Sequence, residues 1–267
     1  MQYLGGCSML RKLIKYDFLW MNRNMVIIFT ITVILSIFTR IASNYTGSIM
    51  GDLIFGILRG FTIAAFANTV INSVIRIWER FRQSLYKDES YLIHTLPVSK
   101  KKLYDSKTIS GIGAILLSLV VVITCFFIAF WDNDIYEYFR AIFKDGDMAF
   151  ILLGILVTAI LEAVYAVNVG IFSLVVGHRF NNARIARSVI LGIFLYFALQ
   201  TLLLGIIYAI GIFDDSIKAM FGDASDVAIK FSTYRTLIIA ADIIYLIFTV
   251  GLYFAGKRLF VKGVNVD

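Results

Sequence analysis

The sequence predicts an all-α integral membrane protein with six transmembrane helices. Three observations carry that expectation. The 267 residues are 60% hydrophobic with a mean hydropathy of +0.83, where soluble domains are about 45–50% apolar. Only 16% are charged, against about 25% in an ordinary domain. Six apolar runs are each long enough to cross a hydrocarbon core, which takes roughly 20 helical residues.

The runs cover approximately 25–41, 53–75, 109–131, 149–176, 188–213 and 236–256. They lack the period-two alternation of a membrane barrel, so strands are not expected. The loops set an orientation. Arg11, Lys12, Lys15 and Arg23 precede the first span, and Arg76, Arg80, Arg82, Lys87, Lys100, Lys101, Lys102 and Lys107 surround the second loop. Arg179, Arg184 and Arg187 lie in the fourth loop, and Lys257, Arg258 and Lys262 follow the last span. The positive-inside rule puts these segments, and both termini, in the cytoplasm of a plasma-membrane protein. The opposite loops are acidic, with Asp132, Asp134, Glu137, Asp145 and Asp147 in one and Asp214, Asp215, Asp223 and Asp226 in the other. The net charge of +7 then serves anionic lipid. Nucleic acid is not an expected partner, because the basic residues flank apolar helices.

Taken as one six-span domain over 1–267, the chain has four segments outside the bilayer that invite a reading. Residues 9–23 are amphipathic: Leu10, Leu13, Ile14, Phe18 and Met21 recur at helical steps among the cations. That pattern suits an interfacial helix anchored by Trp20, the alternative being a plain basic flank. Met9 is an alternative start to Met1, and the first span reads as a retained signal-anchor, since the leader is far longer than a usual n-region. Residues 132–148 and 214–235 are expected outside the cell. The first of these carries Ile135, Tyr138, Phe139, Ile142 and Phe143 at helical spacing, which predicts a second interfacial helix.

The cytoplasmic loop 76–108 is the most informative stretch. Leu85, Glu89, Leu92 and Leu96 fall on one helical face, Pro97 disfavours helix in the residue before it, and Ser99 can cap the next helix. Its core reads Tyr86-Lys-Asp-Glu-Ser-Tyr-Leu-Ile-His-Thr-Leu-Pro-Val-Ser-Lys-Lys-Lys-Leu and ends at Ser106-Lys107. This resembles the first cytoplasmic loop of bacterial ABC-2 type permeases, with its Gly/Glu-x-Tyr-Leu, Leu-Pro-Val-Ser and Ser-Lys pattern. The leader from Leu10 to Phe18 resembles their opening helix, and the six-span layout covers nearly the whole chain. Glu89-Ser90 stands where a glycine is common nearby. The resemblance implies a type V-like permease of an ABC transporter that exports its substrate. It also implies an ABC ATPase subunit, a second permease (identical or related) and a coupling role for Tyr86, Tyr91, Leu92, Leu96 and Pro97. No catalytic residue, cofactor or metal is then expected in this chain, ATP being bound by the partner.

Other motifs are weak. Gly251-Leu-Tyr-Phe-Ala-Gly256-Lys257-Arg258 nearly matches a phosphate-binding loop, but an arginine replaces the magnesium-binding hydroxyl and the segment lies in an apolar run. The fifth loop holds no channel filter sequence. Asn44-Tyr45-Thr46 fits a glycosylation triplet but hugs the membrane. Cys7 lies in the leader and Cys125 in an apolar span, so they are not expected to meet in an oxidising space or to form a disulfide, and His94 and His178 have no companion ligands nearby.

Charge inside the bilayer is costly and usually faces the bundle interior. Arg59, Glu162 and Asp242 are the candidates. Gly56, Gly60, Ala64, Asn68 and Asn72 in span two, and Gly154, Thr158, Glu162, Ala166 and Gly170 in span four, recur at four-residue steps. Such stripes predict close helix packing, with a place for Glu162 on a translocation path as the alternative. Arg59 and Asp242 fall at matched depths and are expected to pair or to share a water-filled outer cavity, the alternative being that Arg59 snorkels alone and Asp242 is hydrogen-bonded within its own helix or to Tyr245. Two other functions compete with transport: a stand-alone membrane immunity or accessory protein, and an intramembrane enzyme. The enzyme is disfavoured because Glu162 lacks a second carboxylate and histidine at its depth.

Overall fold

A computed structural model describes residues 2–87, 89–95, 98–180, 183–213 and 231–262. The described residues are helical, with short connections. The elements are α1 (Gln2–Ser43), α2 (Ile49–Tyr86), α3 (Ser90–Thr95), α4 (Lys100–Phe130), α5 (Asn133–Lys144), α6 (Gly146–Gly177), α7 (Arg184–Phe213) and α8 (Phe231–Lys262). All but α3 and α5 are long and apolar enough to cross a membrane. Their outward side chains are apolar, among them Ile27, Ile63, Ile190, Phe194, Ile247 and Phe254. In water that surface would be untenable; against lipid it costs nothing. The chain is a multi-pass membrane protein by this measure. It divides into two compact units, Met1–Glu137 with Phe260–Asp267, and Tyr138–Leu259.

In the first unit α1 packs on α4 and α2. The leader and the first span, expected as two helices, form one unbroken helix, because no proline or glycine interrupts the chain between Ser8 and Ser43. The leader's inner face also packs against protein. Met21 and Met25 are buried, and Phe18 lies beside Gly113 of α4, where an added Cβ would meet its ring at 3.4 Å.

Hydroxyls line the contact between α1, α2 and α4. Thr32 bonds Thr69 at 2.9 Å, Thr39 bonds Thr62 at 2.7 Å, and Ser73 bonds Ser118. Each of Thr32, Thr69, Ser73 and Ser118 also bonds the carbonyl four residues back, so no hydroxyl is left bare in the helix. This face of α2 is opposite the small stripe named above. Gly56, Gly60, Ala64 and Asn68 are exposed, and a Cβ at Gly56 or Gly60 would meet open space. Asn68 and Asn72 satisfy each other on that face. Small size alone made it look like a contact; the hydroxyl face makes the contact because it supplies cross-helix bonds as well.

The second loop is shorter than the sequence suggests. Ile77, Arg80, Phe81, Ser84 and Leu85 extend the buried face of α2 at helical steps, so α2 runs on to Tyr86. Leu85 therefore belongs to α2 and Glu89 to the turn before α3. Ser99 stands at the cap of α4, but its hydroxyl makes no capping bond and only its carbonyl accepts from Leu103 N–H. At the other end α5 forms as expected, with Asp132 accepting from Ile135 N–H at 2.8 Å.

In the second unit α6 packs along α7. Backbones approach closely where glycine permits: a Cβ at Gly154 would come within 2.6 Å of Ile238 Cγ2, and one at Gly177 would collide with Ser188. Span four's stripe is thus a packing face, as read from its spacing. The core is Tyr165, Val169, Leu199, Leu203 and Tyr245, with Tyr165 and Tyr245 edge to face at 5.8 Å. Segment 251–258 is continuous helix, with no loop that could cradle a phosphate. The fifth loop lies outside the described residues except where α8 has already begun at Phe231.

Candidate functional site

Two polar assemblies stand out, one in each unit. The first lies at the basic ends of α1, α2 and α4. Asp17 is 2% exposed, and its Oδ1 accepts from Arg80 Nε at 2.8 Å and from Lys107 Nζ at 2.6 Å. Arg80 also donates through Nη1 to both Glu89 oxygens at 2.8 Å, and its guanidinium sits 5.0 Å from the Trp20 ring centre. Two anions and two cations therefore close a neutral cluster. Its geometry follows from local structure. Arg80 is presented by the extra turns of α2, Lys107 by the first turns of α4, and Glu89 by the turn that ends α2. Trp20, expected as a headgroup anchor, lies with its ring under the Arg80 guanidinium. Asp17 Oδ2 is buried without a hydrogen bond among the described residues, so the carboxylate depends on its two cations.

Of the coupling residues implied by the family resemblance, two are described with their side chains. Tyr86 ends α2 and is half-buried; Tyr91 opens outward on α3, 76% exposed. Leu96 and Pro97 lie outside the described residues, as does the side chain of Leu92. The cluster itself was missed from sequence. Its members are 63 and 90 positions apart along the chain, and each cation was accounted for by the positive-inside rule. One signal was present: Asp17 is the sole acidic residue in the basic leader.

The second assembly is inside the second unit. Glu162 of α6 accepts from Tyr196 at 2.7 Å and Gln200 at 3.2 Å, both on α7. Gln200 also donates to Tyr245 of α8 at 3.0 Å. One turn before Glu162, Thr158 donates to Asp242 of α8 at 2.6 Å. Tyr165 closes the network by donating to the Leu195 carbonyl. Beside it a cleft of about 210 Å³ opens between α7 and α8, with Thr158, Gln200 and Tyr245 at its polar end. Among the described residues neither carboxylate has a lysine, arginine or histidine within ion-pair distance. Arg59, expected to pair with Asp242, lies over the Phe130 ring at 5.8 Å. Each of the two thus has a partner within its own unit.

No group of three or more metal-ligating side chains occurs among the described residues. His178 is buried and bonds the Leu174 carbonyl through Nδ1, and Cys125 is a free, buried thiol. Set against protein-family models, curated proteins and solved structures, the chain matches none.

Proposed function

We propose that the chain is the membrane-spanning permease subunit of an ABC transporter of the ABC-2 class, working as an exporter. It would act with a second permease and separate ATPase subunits, in the plasma membrane with both termini cytoplasmic. One observation supports this reading most. The stretch 86–107, which carries the family-like pattern, joins the second and third membrane-crossing helices. Its Lys107 donates to Asp17 of the leader, and its Glu89 is tied to the same aspartate through Arg80. A force applied to the exposed Tyr91 of α3 is then passed to α1, α2 and α4 through a short, charge-locked lever. Rigid-body switching of packed helices needs such a stiff link. The chain's own part is mechanical: it holds the path, and hydrolysis belongs to the partner.

Purification from the native host in mild detergent, followed by mass spectrometry, tests the reading. An ATPase carrying a phosphate-binding loop should copurify, and a crosslinker placed at Tyr91 should reach it. Tyr91→Asp and Glu89→Gln should leave the protein in the membrane and lower transport per ATP hydrolysed. Crosslinks that reach only lipid or the chain's own helices would favour a stand-alone membrane protein instead.

A further inference from the structure

We infer that the cleft between α7 and α8 binds a lipophilic primary ammonium: an apolar chain ending in a protonated amine. As a transport substrate class this rests on the permease reading; as a binding site it does not.

Four features of the second unit converge on that chemistry. The walls are aliphatic, with Leu203, Ile207 and Ile210 from α7 facing Leu237, Ala241 and Ile244 from α8. At about 210 Å³ the cleft is smaller than the roughly 300–1,000 Å³ of drug-sized pockets, so it suits one alkyl chain better than a fused-ring molecule. At its polar end the lining residues Thr158 and Gln200 hydrogen-bond two carboxylates that stand one bond behind the wall, Asp242 and Glu162, and no cation among the described residues pairs with either. Intramembrane carboxylates of this kind mark ligand or ion pathways. Tyr196 stacks on Tyr165 at 6.3 Å and Tyr245 meets Tyr165 edge to face at 5.8 Å, and tyrosine faces attract ammonium groups.

The charge balance selects the sign of the ligand. The two carboxylates hydrogen-bonded to the polar end of the cleft would repel an anionic head, and a neutral head would leave them uncompensated. A primary ammonium brings one positive charge and three donors. Those donors match the acceptors present, which are the carboxylates, the Gln200 amide oxygen and the tyrosine hydroxyl oxygens. Glu162 lies near the middle of α6, so a ligand must bring its own apolar chain to reach it through lipid.

Dodecylamine is the probe, offered to the full chain in nanodiscs of uncharged phosphatidylcholine. Dodecanol and dodecanoate serve as the neutral and anionic controls. Near saturation dodecylamine should raise the thermal midpoint by about 5 °C or more, and neither control should. A diazirine-tagged dodecylamine should photolabel α7 and α8, with labelling competed away by the untagged amine. Glu162→Gln combined with Asp242→Asn should abolish the shift. Ala241→Phe, which fills the cleft and keeps both carboxylates, should abolish the photolabel. Equal shifts from dodecanol, no shift from any probe, or labelling confined to other helices would each overturn the site. No ATPase takes part in this assay, so a positive result from a chain that copurifies with no ATPase would keep the site and remove the transport role.

Discussion

Both compact units hold carboxylates among apolar helices, and they satisfy them by opposite means. Asp17 is clasped by Arg80 and Lys107, with Glu89 completing the count of charges. Glu162 and Asp242 are held by Tyr196, Gln200 and Thr158, which carry no charge. A carboxylate fixed between two cations has its electrostatic partner built in, and its role is to join helices. A carboxylate held by neutral donors keeps its affinity for a cation that arrives from elsewhere. The first arrangement sits where the proposed ATPase would push, the second beside a cleft. Stiffness and receptivity are thus placed in different units.

The largest expected effect separates these two arrangements directly. Asp17→Asn leaves Arg80 and Lys107 buried with one anion between them, and losing one partner of a buried pair typically costs about 3–5 kcal/mol. Glu162→Gln keeps an acceptor for Tyr196 and Gln200, so its cost is that of weakening two hydrogen bonds, about 1 kcal/mol. Chemical denaturation of both variants in the same detergent checks the difference. If Glu162→Gln were as damaging as Asp17→Asn, the distinction between a structural and a receptive carboxylate would fail.

How far these features could be read beforehand differs along the same line. The six long helices were legible because each apolar run is long and unbroken, and α5 because its apolar residues repeat at helical spacing. Span four's stripe was legible too, since Gly154, Thr158 and Glu162 face neighbours as their spacing implied. The Asp17 cluster was not, because it joins residues far apart in the chain and its cations already had a sufficient local explanation. Tyr196 and Gln200 escaped notice for another reason: attention to charge passed over neutral donors inside an apolar run. The stripe on α2 misled because periodic small residues show that a helix can be approached closely, without saying from which side.

That last point yields a second comparison, of intermediate size. Gly154→Val drives a branched side chain into Ile238, and overpacking of this kind costs about 1–3 kcal/mol. Gly60→Val meets open space on α2, and substitutions away from packed features usually fall within about 0.5 kcal/mol. Thermal midpoints of the two valine variants, measured for the isolated chain in detergent, should rank Gly154→Val well below Gly60→Val. The reverse ranking would place the helix contact on the stripe that the structure leaves uncovered.

The smallest expected effect concerns what holds the first unit together away from its charges. Thr32 and Thr69 bond each other at 2.9 Å across α1 and α2, yet each can also return to its own helix carbonyl. The cross-helix bond is therefore exchanged against an internal one, and its net worth is low. Interhelical hydrogen bonds in membrane proteins average about 0.6 kcal/mol by double-mutant cycle. Thr32→Val and Thr69→Val keep the side-chain shape and remove the hydroxyls. Their coupling should accordingly be about 0.6 kcal/mol, several-fold below the cost of Asp17→Asn. A coupling above about 2 kcal/mol would mean that hydroxyl pairs carry as much of the first unit as its ion cluster does. The charges would then position the loop, and the threonines would hold the helices.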